Sequence, residues 1–253
     1  MIITIKGGLD KDGVPECVRS IDISSGEVIG IVGPTGSGKS SLISDLEQFA
    51  QGDTPSRRYV LIDGSPPETG MRHDPRRKPV AQLSQNMHFL ADMSVSDFIH
   101  MHARSRGRDP RLLSKVLEIT NTLTGEPVHG DDNLTELSGG QSRALMVADI
   151  AVISDSPIVL IDEIENAGIK KKEALRLLSG EGKIVLVVTH DPLLALMTER
   201  RIVMRNGGMV KVIKTTDEER RFCDSLFRVD TWLLSLRESI RRGEVLSATE
   251  AVI

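Results

Sequence analysis

A glycine-rich stretch at residues 33–41, GPTGSGKSS, contains residue types that bind phosphate. The spacing G-x-x-x-x-G-K-[ST] of a phosphate-binding loop is matched by Gly33, Gly38, Lys39 and Ser40. Glycines allow successive backbone N–H groups to curl around phosphates, and a helix that starts there adds a favourable dipole. The lysine can reach the β- and γ-phosphates, and the serine hydroxyl can bind Mg²⁺. The stretch therefore predicts a nucleoside triphosphate site.

The segments on either side supply the elements that must hold this loop. Residues 28–32, VIGIV, predict a buried strand, and residues 41–46 have helical spacing. Two more apolar, β-branched runs, residues 158–161 and 184–188, predict central parallel strands. The pattern indicates an α/β protein whose phosphate loop joins a strand to a helix.

Antiparallel strands and helices are predicted around this core. Residues 2–5 and 17–23 predict a small antiparallel lobe, and residues 59–64 and 80–83 predict further strands. Residues 65–79 are rich in Pro, Arg and Gly and predict an exposed loop.

Later segments predict mainly helices. Residues 95–124 have helical spacing, with a break at Gly107 to Pro110. Another helix runs to about Ile153, and the pair Asn206-Gly207 predicts a hairpin with a type I′ turn. The chain is predicted to be helical from Asp217 onward.

A second motif, LSGGQ at residues 137–141, narrows the class of nucleotide-binding protein. With LSGGQ placed between the phosphate loop and an apolar strand that ends in Asp-Glu, the chain resembles the ATP-binding cassette (ABC) family of ATPases over about residues 2–213. Three more positions carry the resemblance, each after a predicted strand: Gln85, Asp162-Glu163 and Thr189-His190.

The resemblance implies a P-loop NTPase core with a mainly parallel sheet, an antiparallel β lobe and a helical subdomain. The ATPase domain would cover residues 1–214, with the helical insertion at about residues 90–150. Residues 215–253 would form a C-terminal helical extension.

The resemblance also implies roles in hydrolysis of MgATP. Glu163 would be the general base for the attacking water, and His190 would contact the γ-phosphate. Lys39 would act on the phosphates. The metal ligands would be Ser40, Gln85 and Asp162, with Gln85 also touching the water.

Two groups of residues would bind nucleotide. The phosphate loop would contribute Gly33, Pro34, Thr35, Gly36, Ser37, Gly38, Lys39, Ser40 and Ser41. The residues Ser138, Gly139, Gly140 and Gln141 would contact the γ-phosphate bound to a second subunit. A head-to-tail dimer with C₂ symmetry, a homodimer or a heterodimer, would then contain two composite sites.

The sequence departs from the family pattern at two places. Many members stack adenine on an aromatic residue about 20 to 25 positions before the phosphate loop, but here no Phe, Tyr or Trp precedes Phe49. ATP and GTP are therefore expected to compete. After Glu163 the chain continues Ile-Glu-Asn-Ala-Gly-Ile, so Ile169 replaces the aspartate that usually communicates across the dimer.

Composition limits the partners and the compartment. A net charge of −4 gives no reason to expect nucleic acid as a partner. The two cysteines, Cys17 and Cys223, are far apart and suit a reducing cytosol.

No signal peptide and no run of about 20 apolar residues is visible, so a partner would span any membrane. The expected location is the cytoplasm, with attachment to the membrane through that partner.

Three functions are compatible with such an ATPase. The first, which we expect, is the ATP-binding subunit of a membrane transporter, because such subunits are the most numerous members of the family and the helical insertion has a transporter-like length. The second is an ATPase that remodels or activates a protein or metalloenzyme complex, favoured by the segment after Glu163 and an amphipathic tail. The third, DNA maintenance, is disfavoured because the chain is acidic and lacks a long coiled coil. The tail predicts either a helix packed on its own domain or a docking or dimerisation element.

Overall fold

The computed structural model describes residues 1–74, 77–84, 88–162 and 169–246. The strands are β1 (Ile2–Lys6), β2 (Ser20–Ser24), β3 (Val28–Val32), β4 (Tyr59–Ile62), β5 (Val80–Leu83), β6 (Ile158–Asp162), β7 (Ile184–Val188), β8 (Arg200–Arg205) and β9 (Gly208–Lys214). The helices are α1 (Lys39–Glu47), α2 (Thr69–His73), α3 (Val95–Ser105), α4 (Leu113–Leu123), α5 (Gly139–Val152), α6 (Lys171–Gly180), α7 (Pro192–Met197) and α8 (Asp217–Arg241).

The larger sheet has six strands in the order β5-β6-β7-β3-β8-β9. The first five are parallel, and β9 is antiparallel to β8. In the register, Val188 pairs with both Ile31 and Asp162. The carboxyl ends of β3, β7 and β6 therefore meet at one edge, the usual ligand-binding edge of such a sheet.

The smaller sheet is antiparallel, in the order β2-β1-β4. The predicted antiparallel lobe is present, and its third strand is β4. The strand β3 follows β2 directly but joins the larger sheet, because its residues are apolar on both faces and are buried there.

Alternating side chains of the parallel strands fill two cores. On β6, Ile158 and Leu160 pack in a cluster with α1 and the smaller sheet. Val159 and Ile161 lie in the other cluster, which includes residues of α5 and α6. Because side chains alternate between the two faces and both faces are buried, such a strand is a nearly continuous apolar run in the sequence.

Helices α3, α4 and α5 form a further layer around its own apolar cluster. Helix α5 belongs to both layers, since Leu145 and Ala148 pack in this cluster and Ala144 and Val147 pack against the sheet. The predicted fold class is confirmed: a mostly parallel sheet, an antiparallel sheet and a helical layer.

The segment 65–79 differs from the prediction of a loop, because it contains the short helix α2. Arg72 fastens this helix to the end of α1 by donating from Nε to the carbonyl oxygen of Gln48 (3.2 Å) and pairing with Asp53 (2.5 Å). The hairpin turn agrees with the prediction, because Asn206 and Gly207 both have positive φ, 50° and 86°.

Candidate active site

The phosphate loop connects β3 to α1 and is shaped by glycines that other residues could not replace. Gly33 has φ 151°, and a Cβ there would lie 2.4 Å from the carbonyl oxygen of Met204. Gly38 has φ 98°, and its Cβ would lie 2.6 Å from the Cα of Gly207. The loop therefore bends sharply while packed directly on the β8–β9 hairpin.

Lys39 lies inside this bend. Its side chain is 7% exposed, and Nζ donates to the carbonyl oxygens of Gly33 (2.9 Å) and Pro34 (3.2 Å). The ammonium group is thus held on the concave side of the loop, where a phosphate would lie.

The start of α1 fits an anion. Its N-cap, Gly38, has no side chain to occupy the first backbone N–H groups of the helix. Ser40 and Ser41 are exposed on the first turn. Within the described ranges, the buried Ser37 Oγ has no hydrogen-bond partner. Residues 34–36 form the exposed rim. The loop therefore offers N–H groups, hydroxyls and one ammonium to a phosphate.

Two of the predicted polar residues lie at the same edge of the sheet. Asp162 is the half-buried last residue of β6, and His190 is exposed two residues after β7. The strand β7, which leads to His190, lies next to β3, which leads to the phosphate loop. The strand β6, which ends at Asp162, lies on the other side of β7.

The backbone around His190 is fixed on both sides. Thr189 is buried, and its Oγ1 accepts from the N–H of Asp191 at 2.9 Å. Asp191 caps α7 by accepting from the N–H of Leu193 (2.8 Å) and pairs with Lys171 Nζ (2.6 Å). These contacts hold the backbone on both sides of His190 in place at the end of β7.

Gln85 and Glu163 lie outside the described residues. The chain leads towards them from Ser84 after β5 and from Asp162 at the end of β6.

The residues of the LSGGQ motif form the N-terminus of α5 instead of joining the phosphate loop. Ser138 Oγ accepts from the N–H of Gln141 (3.3 Å), and Gln141 Oε1 accepts from the N–H of Ser138 (2.9 Å), a reciprocal capping box. Gln141 Nε2 also donates to the carbonyl oxygen of Pro127 (3.0 Å). Ser138 and Gly139 are exposed. This helix start belongs to the helical layer and faces solvent.

One residue near the site carries no sequence signal. Lys11, on the loop between β1 and β2, donates from Nζ to the carbonyl oxygen of Gly36 (2.7 Å). Its N–H donates to the carbonyl oxygen of Asn206 (2.9 Å). A single exposed lysine in a polar loop belongs to no motif, so only the folded structure places it at the phosphate loop.

Comparisons with known proteins identify the family of the chain. A family model described as ABC transporter matches residues 19–166. The chain is 66% identical to an uncharacterized ABC transporter ATP-binding protein of Methanocaldococcus jannaschii, over 97% of this chain and 94% of that protein. It is 28% identical to the macrolide export ATP-binding/permease protein MacB of Campylobacter jejuni, over 79% of this chain but 32% of that protein. The chain thus spans about a third of MacB.

Two solved structures share the fold. One is an ATP-binding cassette in a dimeric post-hydrolysis state bound to ADP and Pi, with a TM-score of 0.62, 21% identity, and coverage of 85% of this chain and 99% of that one. The other is an ATP-binding subunit of an ABC transporter, with a TM-score of 0.64, 17% identity, and coverage of 88% and 93%. Among the described residues, no helix is both long and apolar enough to cross a membrane.

Proposed function

The chain belongs to the ABC transporter family and is an ATPase of that family, and from this premise we propose that it hydrolyses MgATP in a head-to-tail dimer to energise a membrane permease. The observation that carries the site assignment is the meeting of the phosphate loop, Asp162 and His190 at one sheet edge. We propose an ATPase domain of residues 1–214 followed by a helical extension.

The described residues divide the work of binding. Lys39 and the N–H groups at the start of α1 would hold the phosphates. Ser40 and Asp162 offer the oxygen ligands that Mg²⁺ prefers, with Gln85 as the third proposed ligand. Bound there, Mg²⁺ would offset negative charge on the β- and γ-phosphates.

Hydrolysis needs a positioned water and a contact to the γ-phosphate. We assign the water to Glu163, as general base, because it directly follows Asp162 at the edge that holds the phosphates. Gln85, just after β5, would touch the same water. His190 would contact the γ-phosphate from the end of β7.

The exposed start of α5 supports the dimer. Its capping box keeps the helix start ordered, and Ser138 and Gly139 are exposed, so this N-terminus is accessible to a γ-phosphate of another copy. Residues Ser138, Gly139, Gly140 and Gln141 would then complete the site of the partner subunit. A C₂ dimer makes two such sites.

A membrane permease is the proposed partner because MacB, by its name, combines ATP-binding and permease functions, and this chain resembles about a third of it. The ATPase would then lie at the cytoplasmic face of the membrane. The alternative is an ATPase that remodels a protein or metalloenzyme complex. It is favoured by the exposed apolar side chains of α8, which include Phe222 (59% exposed), Leu234 (52%) and Ile240 (60%).

The experiment is an affinity capture with the tagged Glu163→Gln variant, which should retain bound ATP. Capture is performed with ATP from separate membrane and soluble fractions. Lys39→Ala, which should bind ATP roughly 10- to 100-fold more weakly, serves as the control at an ATP concentration too low to fill its site. Proteins recovered with Glu163→Gln but not with Lys39→Ala are identified by mass spectrometry. A multi-span membrane protein supports the transporter, whereas only soluble proteins would overturn it in favour of the alternative.

A further inference from the structure

A fully buried arginine lies directly before β4, and its guanidinium group has three partners. Arg58 Nε donates to Glu16 Oε1 (3.0 Å), and Nη2 also pairs with that carboxylate. Nη1 donates to Asp45 Oδ2 (2.7 Å), and Nη2 donates to the carbonyl oxygen of Gly207 (2.6 Å). Glu16 and Asp45 are each 3% exposed. A planar group with five donors can serve all these acceptors, which a single ammonium cannot.

These partners come from three separate parts of the chain. Glu16 lies on the loop between β1 and β2, and its Oε2 also accepts from the N–H of Gly8 at 3.3 Å. Asp45 lies on α1, the helix that begins at Lys39, and also accepts from Ser56 Oγ at 2.7 Å. Gly207 lies in the turn between β8 and β9. The arginine therefore joins the helix of the phosphate loop to the hairpin.

The hairpin turn in turn supports the phosphate loop. The N–H of Gly207 donates to the carbonyl oxygen of Ser37 at 2.8 Å. The backbones of Gly207 and Gly38 pack so closely that a Cβ on Gly38 would lie 2.6 Å from the Cα of Gly207. A displacement of the turn would therefore move the loop residues that precede Lys39.

We propose that Arg58 is a positioning residue for nucleotide binding. Through Asp45 it fixes α1, and through Gly207 it fixes the backing of the loop, so that the phosphate cradle has its binding shape before nucleotide arrives. Such preorganisation lowers the cost of ordering the site on binding. Arg58 acts through these two partners and belongs to neither sequence motif.

The test is Arg58→Lys, which keeps the charge but cannot reach all three partners. ADP binding is measured by calorimetry, and KM and kcat for MgATP are measured at a temperature where urea unfolding shows the variant to be folded. We expect the Kd for ADP and the KM for MgATP to rise about tenfold, because several N–H to phosphate contacts lengthen together. The kcat should stay within about threefold, since Arg58 touches no reacting atom.

The matched control is Arg201→Lys. Arg201 is also buried (7% exposed) and paired, with Glu219 (2.6 Å), but it joins β8 to α8 and not to the phosphate loop. This variant should lose stability and bind ADP within about twofold of the wild type. If Arg58→Lys also loses stability but binds ADP within twofold, Arg58 is only structural and the proposal is wrong.

A second variant covers the case in which Arg58→Lys does not fold. Asp45→Asn removes the charge that ties Arg58 to α1 and keeps the size of the side chain. It should raise the Kd for ADP about threefold or more at unchanged kcat. An unchanged Kd in folded Asp45→Asn would equally overturn the proposal.

Discussion

Lys39 is buried in the phosphate loop, and its ammonium group is held by two backbone carbonyl oxygens. Carbonyl oxygens carry only partial charge, so an ionised phosphate is a stronger partner for the same group. The side chain is therefore in place before the ligand, and binding exchanges weak acceptors for strong ones.

Replacement of Lys39 by Ala should weaken ATP binding roughly 10- to 100-fold, since a hydrogen bond to a charged group contributes about 1.5–3 kcal/mol. Hydrolysis should fall to background. Calorimetry and a phosphate-release assay would measure both, with Lys6→Ala, an exposed lysine on β1, as the control. Retained turnover in Lys39→Ala would refute the assignment of the phosphate loop.

No aromatic residue precedes the phosphate loop in the sequence to stack on the base of the nucleotide. Phe49, the first aromatic residue of the chain, is fully buried in the apolar cluster that α1 and the smaller sheet form with the larger sheet. It therefore cannot stack on a base. The loop beside the phosphate loop instead presents Lys11, whose ammonium group lies 2.7 Å from the carbonyl oxygen of Gly36.

ATP and GTP should therefore compete for the site within about an order of magnitude. ATP and GTP carry the same triphosphate, which the phosphate loop would bind, so only contacts to the base could distinguish them. Displacement of a fluorescent ADP analogue by each nucleotide would measure the ratio. A preference for ATP of about 10³ or more, equal to about 4 kcal/mol, would contradict this expectation.

At the scale of elements, the phosphate loop depends on the β8–β9 hairpin behind it. Gly36 and Gly38 both have positive φ, 77° and 98°, but only Gly38 touches the hairpin. A Cβ on Gly36 would meet no atom within 4 Å. Substitution of Gly36 would therefore test backbone strain alone, and substitution of Gly38 would test strain together with packing against the hairpin.

Gly36→Ala should cost about 1–2 kcal/mol of unfolding free energy, the cost of a side chain in the left-handed region. Gly38→Ala should cost about 1–3 kcal/mol more, because its Cβ would clash with the Gly207 backbone. Urea unfolding of both variants would compare them. Equal losses would show that the hairpin does not press on the loop.

Much of the architecture could be predicted from the sequence because the information is local. The β-branched runs at residues 158–161 and 184–188 are buried on both faces and became β6 and β7. Helix α2 could not be predicted in this way, because its place depends on Arg72 reaching Gln48 and Asp53, which are remote in the sequence.

The same division holds at the site. Fixed spacing predicted the phosphate loop between a strand and a helix, and the structure has a glycine-rich turn between β3 and α1 there. The supports of the loop were not predictable: Arg58 is one arginine among many charged residues, and only the fold brings Glu16, Asp45 and Gly207 to it. The roles of Gln85 and Glu163 remain predictions.

At the scale of the whole molecule, the phosphate loop and the start of α5 belong to different layers. The loop lies at the edge of the larger sheet, and Ser138 is exposed on the helical layer. The proposed site uses both and would draw them from two copies, which ATP would join until hydrolysis releases them.

The composite ATP site is tested most directly by the molar mass of the Glu163→Gln variant, measured by light scattering with and without ATP. We expect a monomer without nucleotide and a dimer with ATP, because ATP is bound but not hydrolysed. Adding Ser138→Arg to this variant should leave ATP binding intact and abolish the dimer, since only the site of the partner is disrupted. A dimer that persists in the double variant, or a Glu163→Gln monomer with full turnover, would contradict the composite ATP site.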